Sequence, residues 1–386
     1  LERDTDYIEK IDVVRAVACL MVFLYHACQV AFPSFLTVYD GLFLDYQSMP
    51  KLSLLLAFSP VGFGWSGVPL FLLISGFLIH YGYLQKGTPL DIAAFINRRF
   101  WRIYPVYLLV MLFFAITVSN PVNRWDIVSH LLLIHNWDQT TIFSINPSLW
   151  SLALEFQLYM LFPLFLYIRN RVGINKTLLL LSILAVVFSF GDMEDWTTRL
   201  SLMRMWVIWG MGAWLAERYV SGCGIPRLNR WQLAGVLMLV VSIKFFNFYK
   251  VWDYHAFSCF YLLALGAYLS KPVKKLNRVT RPVYKVAVWF GLISYSVYLI
   301  HQPFLPQLIR YFVDQWQDRF SLPPTVTFYF SKGMAIGFIL LIVSAVAYTL
   351  YTFLELESVK WGRAFFKKFI LPYRKKAASA RDLIKV

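Results

Sequence analysis

The sequence predicts an all-α protein: a polytopic membrane helix bundle of about ten transmembrane helices with both termini in the cytoplasm. Three observations predict it. Hydrophobic residues fill 59% of the 386 positions and charged residues only 15%, against about 25% charged in an average soluble domain. A water-exposed globule of this size has more surface than so few charges can cover. The 14 Trp, 23 Tyr and 34 Phe supply the amphipathic rings that collect at membrane interfaces. Finally, apolar runs of about 20 residues, the length that crosses the hydrocarbon, recur along the chain.

Those runs fall at roughly 11–31, 64–84, 102–119, 148–168, 177–191, 200–217, 231–248, 254–270, 285–309 and 326–354. The fifth is short, and the ninth and tenth are long enough to tilt or break. Loop charge orients them. With the N-terminus inside, the inner segments hold 28 of the 37 Lys and Arg, while the 32–63 and 191–199 loops lean acidic. That asymmetry puts both termini in the cytoplasm and demands an even number of spans. It also removes a nucleic-acid reading of the +16 net charge, because the basic residues sit in short loops between apolar runs. Residues 1–358 therefore read as one transmembrane domain and 359–386 as a basic cytoplasmic amphipathic tail. Within the tail, Trp361, Phe365, Phe366, Phe369 and Tyr373 interleave with cations, as in a segment lying on the inner leaflet. The first apolar run has no small-residue cleavage site after it, so a span is expected rather than a removable signal. No repeat of the transporter type is visible. Cys19, Cys28, Cys223 and Cys259 form no CxxC, and packing is their expected role.

Ionisable groups inside spans are costly, so chemistry is sought there. The first span carries Asp12, Arg15 and His26. Arg15 and His26 are eleven residues apart, about three helical turns, so they share a face and lie roughly 16 Å apart along the axis. His26 then reaches the outer half of the bilayer, where its ring either bonds a neighbouring backbone or serves in chemistry. In the fourth span Ser148, Ser151, Glu155 and Tyr159 form a polar stripe at helical spacing. Glu155 comes to a depth close to that of His26, either in an interhelical hydrogen-bond clamp or paired with a histidine. In the ninth, Ser294, Tyr298 and His301 share a face. Pro303 removes a backbone bond nearby, which is tolerated only against protein or a water-filled cavity. Three spans thus bring a titratable group to similar depth.

At the inner end of the third span, Arg98, Arg99 and Arg102 cluster. They are either positive-inside anchors or guanidinium forks for a phosphate. The second span has small residues at Gly64, Gly67, Ser75 and Gly76, which permit close helix approach. His80 is expected at the interface, and Lys332 is expected to snorkel outward. His130, His135 and His255 lack metal-ligand spacing, and no metal is expected.

Together these segments resemble the acyltransferase 3 family of bacterial integral-membrane acyltransferases, over most of the chain. Ile11-Asp12-Val13-Val14-Arg15 followed by Tyr25-His26 resembles that family's first-span arginine-to-histidine signature. Leu70 to Phe77, with Ser75-Gly76-Phe77, is similar to its serine-glycine-phenylalanine segment, and Arg99-Phe100-Trp101-Arg102-Ile103-Tyr104-Pro105 to its paired-arginine motif. Trp150-Ser151 with Glu155 and Tyr159 resembles its tryptophan-serine-glutamate span, and Ser294 to Pro303 its late histidine-proline span. Two departures are visible: Val13 stands where many members carry glycine, and Phe156 where many carry a second glutamate. No hydrolase-like domain follows the bundle in this sequence, so the bundle is expected to deliver the acyl group without a fused partner.

The resemblance implies an acyl-CoA-dependent O-acyltransferase. It would move an acyl group, acetyl first among them, from cytoplasmic acyl-CoA to a hydroxyl of an extracytoplasmic or lipid-linked cell-surface glycan. The setting would be the bacterial cytoplasmic (inner) membrane, with lipids, the glycan and the donor as partners. On this reading Arg15, Arg98, Arg99 and Arg102 hold the phosphates of coenzyme A. His26 acts as general base, and Glu155 orients it. Ser151, Tyr159, Ser294, Tyr298 and His301 line the acceptor side. A covalent acyl-histidine is the alternative route. The competing class is a transporter or flippase of a lipid-linked glycan, with the intramembrane charges as a proton relay.

Overall fold

The computed structural model describes residues 2–32, 59–117, 122–222, 228–242, 249–271, 277–317 and 324–373. Every regular element among them is helical. Helix α1 (Glu2–Ala31) is followed by a 3-10 turn (Pro60–Ser66) that leads into α2 (Gly67–Lys86). The turn is capped by Ser59, whose hydroxyl accepts from the Val61 amide at 3.2 Å. Gly87 ends α2 at φ 60°, a left-handed residue where a side chain would be strained. Next come α3 (Ile92–Thr117) and the short α4 (Arg124–Leu131). Asn123 and Asp126 form a reciprocal capping box at the start of α4, with bonds of 2.9 and 2.8 Å.

The chain continues through α5 (Leu149–Val172), α6 (Ile174–Phe188), α7 (Leu202–Val220), α8 (Arg230–Ser242) and α9 (Tyr249–Leu269). The long α10 (Thr280–Gln317) precedes α11 (Pro324–Leu350). From α11 the helix runs on through a π-helical turn (Tyr351–Glu355) into α12 (Leu356–Phe365) and a second π turn (Phe366–Ile370).

Among the described residues six stretches are long and apolar enough to cross a membrane: Glu9–Ala31, Pro60–Lys86, Ile92–Thr117, Leu149–Val172, Thr280–Trp316 and Tyr329–Tyr373. Within the described residues each of the ten windows expected from sequence falls on a helix, yet the other four do not reach that standard. Helices α6 and α8 are too short, while α7 and α9 are diluted by residues such as Arg204, Glu217, Asp253 and His255. The chain is a multi-pass membrane protein built of helices.

Helix α1 packs along α10 and against α2, and α2 packs along α7. Glycine makes these approaches possible. A Cβ on Gly291 of α10 would strike the Asp12 carbonyl of α1, and one on Gly76 of α2 would strike the Trp209 carbonyl of α7. With no hydrophobic drive between helices in lipid, such backbone-to-backbone contact is what the association rests on.

The tail is not a separate segment at its start. Helix α12 packs on α3, Gly362 sits against the Trp101 side chain, and the Asn97 amide donates to the Gly362 carbonyl at 2.8 Å. Residues 374–386 lie outside the described residues, as does Cys223.

Two histidine and lysine expectations change. His80 is fully buried rather than interfacial, and its Nε2 meets the Glu217 carboxylate at 2.9 Å. Lys332 turns inward to donate to the Ala31 carbonyl at the end of α1, over the Phe32 ring. An orphan carbonyl at a helix C-terminus is a better partner for an ammonium than lipid is.

Candidate active site

A cavity of about 280 Å³ opens between α1, α2, α3, α5 and α10. At one end it is lined by Arg15 of α1 and by Arg99 and Arg102 of α3. Three arginines in one wall make an anion site unless carboxylates cancel them. Asp12 meets Arg15 at 3.3 Å, one helical turn away. Arg99 lies over the Tyr159 ring at 5.5 Å and the Phe95 ring at 5.7 Å. Its Nε is buried without a hydrogen-bond partner, a donor directed at nothing this chain supplies among the described residues. Arg98 is exposed and is not part of the cavity wall.

Sequence reasoning missed Glu355. It is buried in the first π turn, accepts from the Ser296 hydroxyl at 3.4 Å, and feels the charges of Arg102 and Arg15. Its position one residue past an apolar run is the only sequence signal for it, and many interfacial glutamates share that signal. π turns are over-represented at functional sites.

The middle of the cavity belongs to α5. Glu155, Ser151 and Tyr159 all line it, as the helical spacing predicts, together with Ser75 of α2. The Tyr159 hydroxyl donates to the Glu155 carboxylate, and Ser75 donates to Tyr159 at 3.2 Å. Ser75 is thus a polar wall residue as well as a small one.

On α10, Tyr298 lines the cavity one turn from His301, while Ser294 lines it one turn nearer the arginines, its carbonyl accepting from Cys19. The Tyr298 and Ser151 hydroxyls are 2.7 Å apart, and Ser148 donates to Gln302 at 2.8 Å. These bonds join α5 to α10 just where Pro303 interrupts the α10 ladder. Pro303 has no N–H, so the Leu299 carbonyl four residues earlier loses its helical donor. The Asn146 side-chain amide takes that carbonyl at 2.8 Å. The helix continues to Gln317 instead of breaking.

His26 and His301 meet here. His26 Nδ1 lies 2.9 Å from His301 Nε2, with the rings nearly parallel at 22°. His301 Nδ1 lies 2.8 Å from the Tyr298 carbonyl. His301 is fully buried and His26 only partly so. The partner expected for His26 was Glu155, but Tyr159 occupies that carboxylate and His301 takes the imidazole. A link between residues 275 positions apart has no signature in local spacing.

The wall therefore combines fixed cations at one end, a hydroxyl-rich middle, and an imidazole pair bonded to its far end. Such a set can hold an anion, position a neutral hydroxyl and accept a proton.

A family model described as an acyltransferase domain matches residues 8–358. Among curated proteins, the peptidoglycan O-acetyltransferase OatA of Listeria monocytogenes is 25% identical over 78% of this chain and 49% of its own length. The O-acetyltransferase OatA of Staphylococcus aureus is 25% identical over 83% of this chain and 56% of its length. The acyltransferase MdmB of Streptomyces mycarofaciens is 30% identical over 29% of this chain and 31% of its own. The chain spans about half the length of the two O-acetyltransferases. No solved structure is significantly similar. With nearly the whole bundle matched by that model, the chain belongs to the acyltransferase 3 family.

Proposed function

We propose that this chain is a membrane O-acyltransferase that moves an acetyl group from cytoplasmic acetyl-CoA to a hydroxyl of an extracytoplasmic cell-envelope glycan. One observation carries the reading: a single cavity has arginines at one end and residues bonded to the His26–His301 pair at the other. The names of the two OatA relatives make acetyl the first choice of acyl group, and that of the Listeria protein makes peptidoglycan the first choice of acceptor.

Arg15, Arg99 and Arg102 hold donor phosphates, with Arg98 outside the cavity as an approach residue. Along α1 the distance from Arg15 to His26 is roughly 16 Å, a span that suits a slender pantetheine arm. The thioester then lies by His26, the general base on the acceptor hydroxyl. Glu155, tied to Tyr159, balances Arg99 across the cavity and shapes the donor path. Ser151, Ser294 and Tyr298 contribute hydroxyls near the reacting carbonyl, where one can donate to the developing oxyanion.

Purified protein incubated with labelled acetyl-CoA should release CoA only when a glycan acceptor is present. His26→Ala should lower that turnover about 100-fold or more while the protein stays monodisperse. Near-normal turnover in His26→Ala removes the base assignment. Glycan binding without any thioester cleavage favours the transporter reading instead.

A further inference from the structure

The His26–His301 contact decides which nitrogen of His26 carries its proton. The chain of reasoning begins at the Tyr298 carbonyl, which can only accept. His301 Nδ1, 2.8 Å away, must therefore be the N–H nitrogen. In a neutral imidazole the other nitrogen is then a bare acceptor. His301 Nε2 lies 2.9 Å from His26 Nδ1, so His26 Nδ1 must donate. That leaves His26 Nε2 unprotonated. It has no hydrogen-bond partner among the described residues, and the His26 side chain is only partly buried.

We propose that His301 is a positioning residue that fixes His26 as the Nδ1–H tautomer and makes His26 Nε2 the base nitrogen. Among the described residues no carboxylate is bonded to His26, so His301 fills the place that an acid fills in hydrolase triads. The consequences for turnover rest on the acyl-transfer reading; the tautomer assignment does not. In the transfer step the acceptor hydroxyl gives its proton to His26 Nε2 as its oxygen bonds the acyl carbon. The His26 Nδ1 proton can then shift along the 2.9 Å contact to His301 Nε2, spreading one positive charge over two rings. When the carbon–sulfur bond breaks, the proton returns through His26 Nε2 to the thiolate sulfur. The products are the O-acyl glycan and free CoA thiol, and both histidines end as they began.

The rest of the local structure supports this assignment. The proline-freed Leu299 carbonyl is held by Asn146, and Ser148 and Ser151 bond Gln302 and Tyr298 on either side of His301. Four hydrogen bonds, counting that from His301 to its own helix, therefore define where this ring stands. A packing histidine would not need such support.

The test is nitrogen NMR on ¹⁵N-histidine-labelled full-length protein in detergent near pH 8. The chain has six histidines, and His26 is assigned by the signals lost in His26→Gln. We expect a pyrrole-type Nδ1 and a pyridine-type Nε2 for His26. In His301→Phe the ring should revert to the Nε2–H form. Turnover should fall at least about 100-fold, with KM for acetyl-CoA unchanged within about twofold. His301→Gln restores an acceptor to His26 and should recover about tenfold or more of that loss. A pyridine-type His26 Nδ1 in the native protein overturns the proposal. So does a His26 tautomer that is unchanged in His301→Phe. A correct tautomer with no acetyl transfer at all would instead count against the acyl-transfer reading alone.

Discussion

Asn146 illustrates how one residue stabilises a site that it does not itself line. Its amide satisfies the Leu299 carbonyl that Pro303 leaves without a donor. Asn146→Ala should leave that buried oxygen unpaired, at a cost of about 1–3 kcal/mol. Thermal unfolding in detergent should register the loss, while Asn146→Asp, which cannot donate when ionised, should be no better. At the cavity's other end Arg102→Ala should raise KM for acetyl-CoA about tenfold or more, the worth of one charge-assisted bond, and unchanged KM would reduce Arg102 to a topological anchor. Much of this site was legible at the residue scale. Helical spacing put Ser151, Glu155 and Tyr159 on one face, and all three line the cavity. Of the clustered Arg98, Arg99 and Arg102, spacing did not say which two would share a wall, and the structure selects Arg99 and Arg102. What spacing could not carry was partner choice between helices. Glu155 went to Tyr159, one turn away, and His26 went to His301. Pairings of the second kind depend on which helices pack together, and α1 meets α10 only in three dimensions.

Elements meet here through backbone contact. Gly291 sits on the Asp12 carbonyl and thereby sets the register of α1 against α10, the two helices that carry the histidine pair. Gly291→Leu should force them apart, with an overpacking cost of about 1–3 kcal/mol or more. It should lower both thermal stability and turnover, whereas an equal change at Gly235, where a side chain meets open space, should do neither. The segment around α4 adds a pH dependence of its own. His130 and His135 stack with ring centroids 3.8 Å apart and are fully buried. Burial holds His130 down at about 4, and burial together with its neighbour holds His135 well below its ordinary value. Between the ordinary value of 6.5 and about 4, the unfolded chain binds protons that the folded one refuses. Stability must therefore fall as pH drops through that window. Melting temperature measured from pH 7 to pH 5 should decline, and replacing both rings by Asn should flatten the slope. The elements themselves were readable from apolar length, since within the described residues each expected window overlaps a helix. Their membrane-crossing status was less so, because α7 and α9 hide charged groups by pairing them with other elements, as Glu217 of α7 does with Arg169 at 2.6 Å and Asp253 of α9 does with Arg199 at 2.7 Å.

For the whole molecule, the central proposal is directional: the arginine end faces the donor and the histidine end faces the acceptor. On that proposal the end with Arg15, Arg99 and Arg102 faces the cytoplasm, by the positive-inside rule. The cavity would, on the same proposal, pass a thioester arm rather than the whole donor, since about 280 Å³ is small even for a drug-sized ligand. The basic, aromatic π turn that follows α12 takes the same orientation on this proposal. Its Lys367, Lys368 and Phe369 are exposed just beyond α12, which packs on α3, where anionic headgroups would receive them. Sided vesicles test the directional claim most directly. Acetyl-CoA, which does not cross the bilayer, is added outside sealed vesicles of either orientation containing acceptor glycan. The account predicts acetylation in inside-out vesicles and none in right-side-out vesicles. Acetylation only in right-side-out vesicles would contradict it.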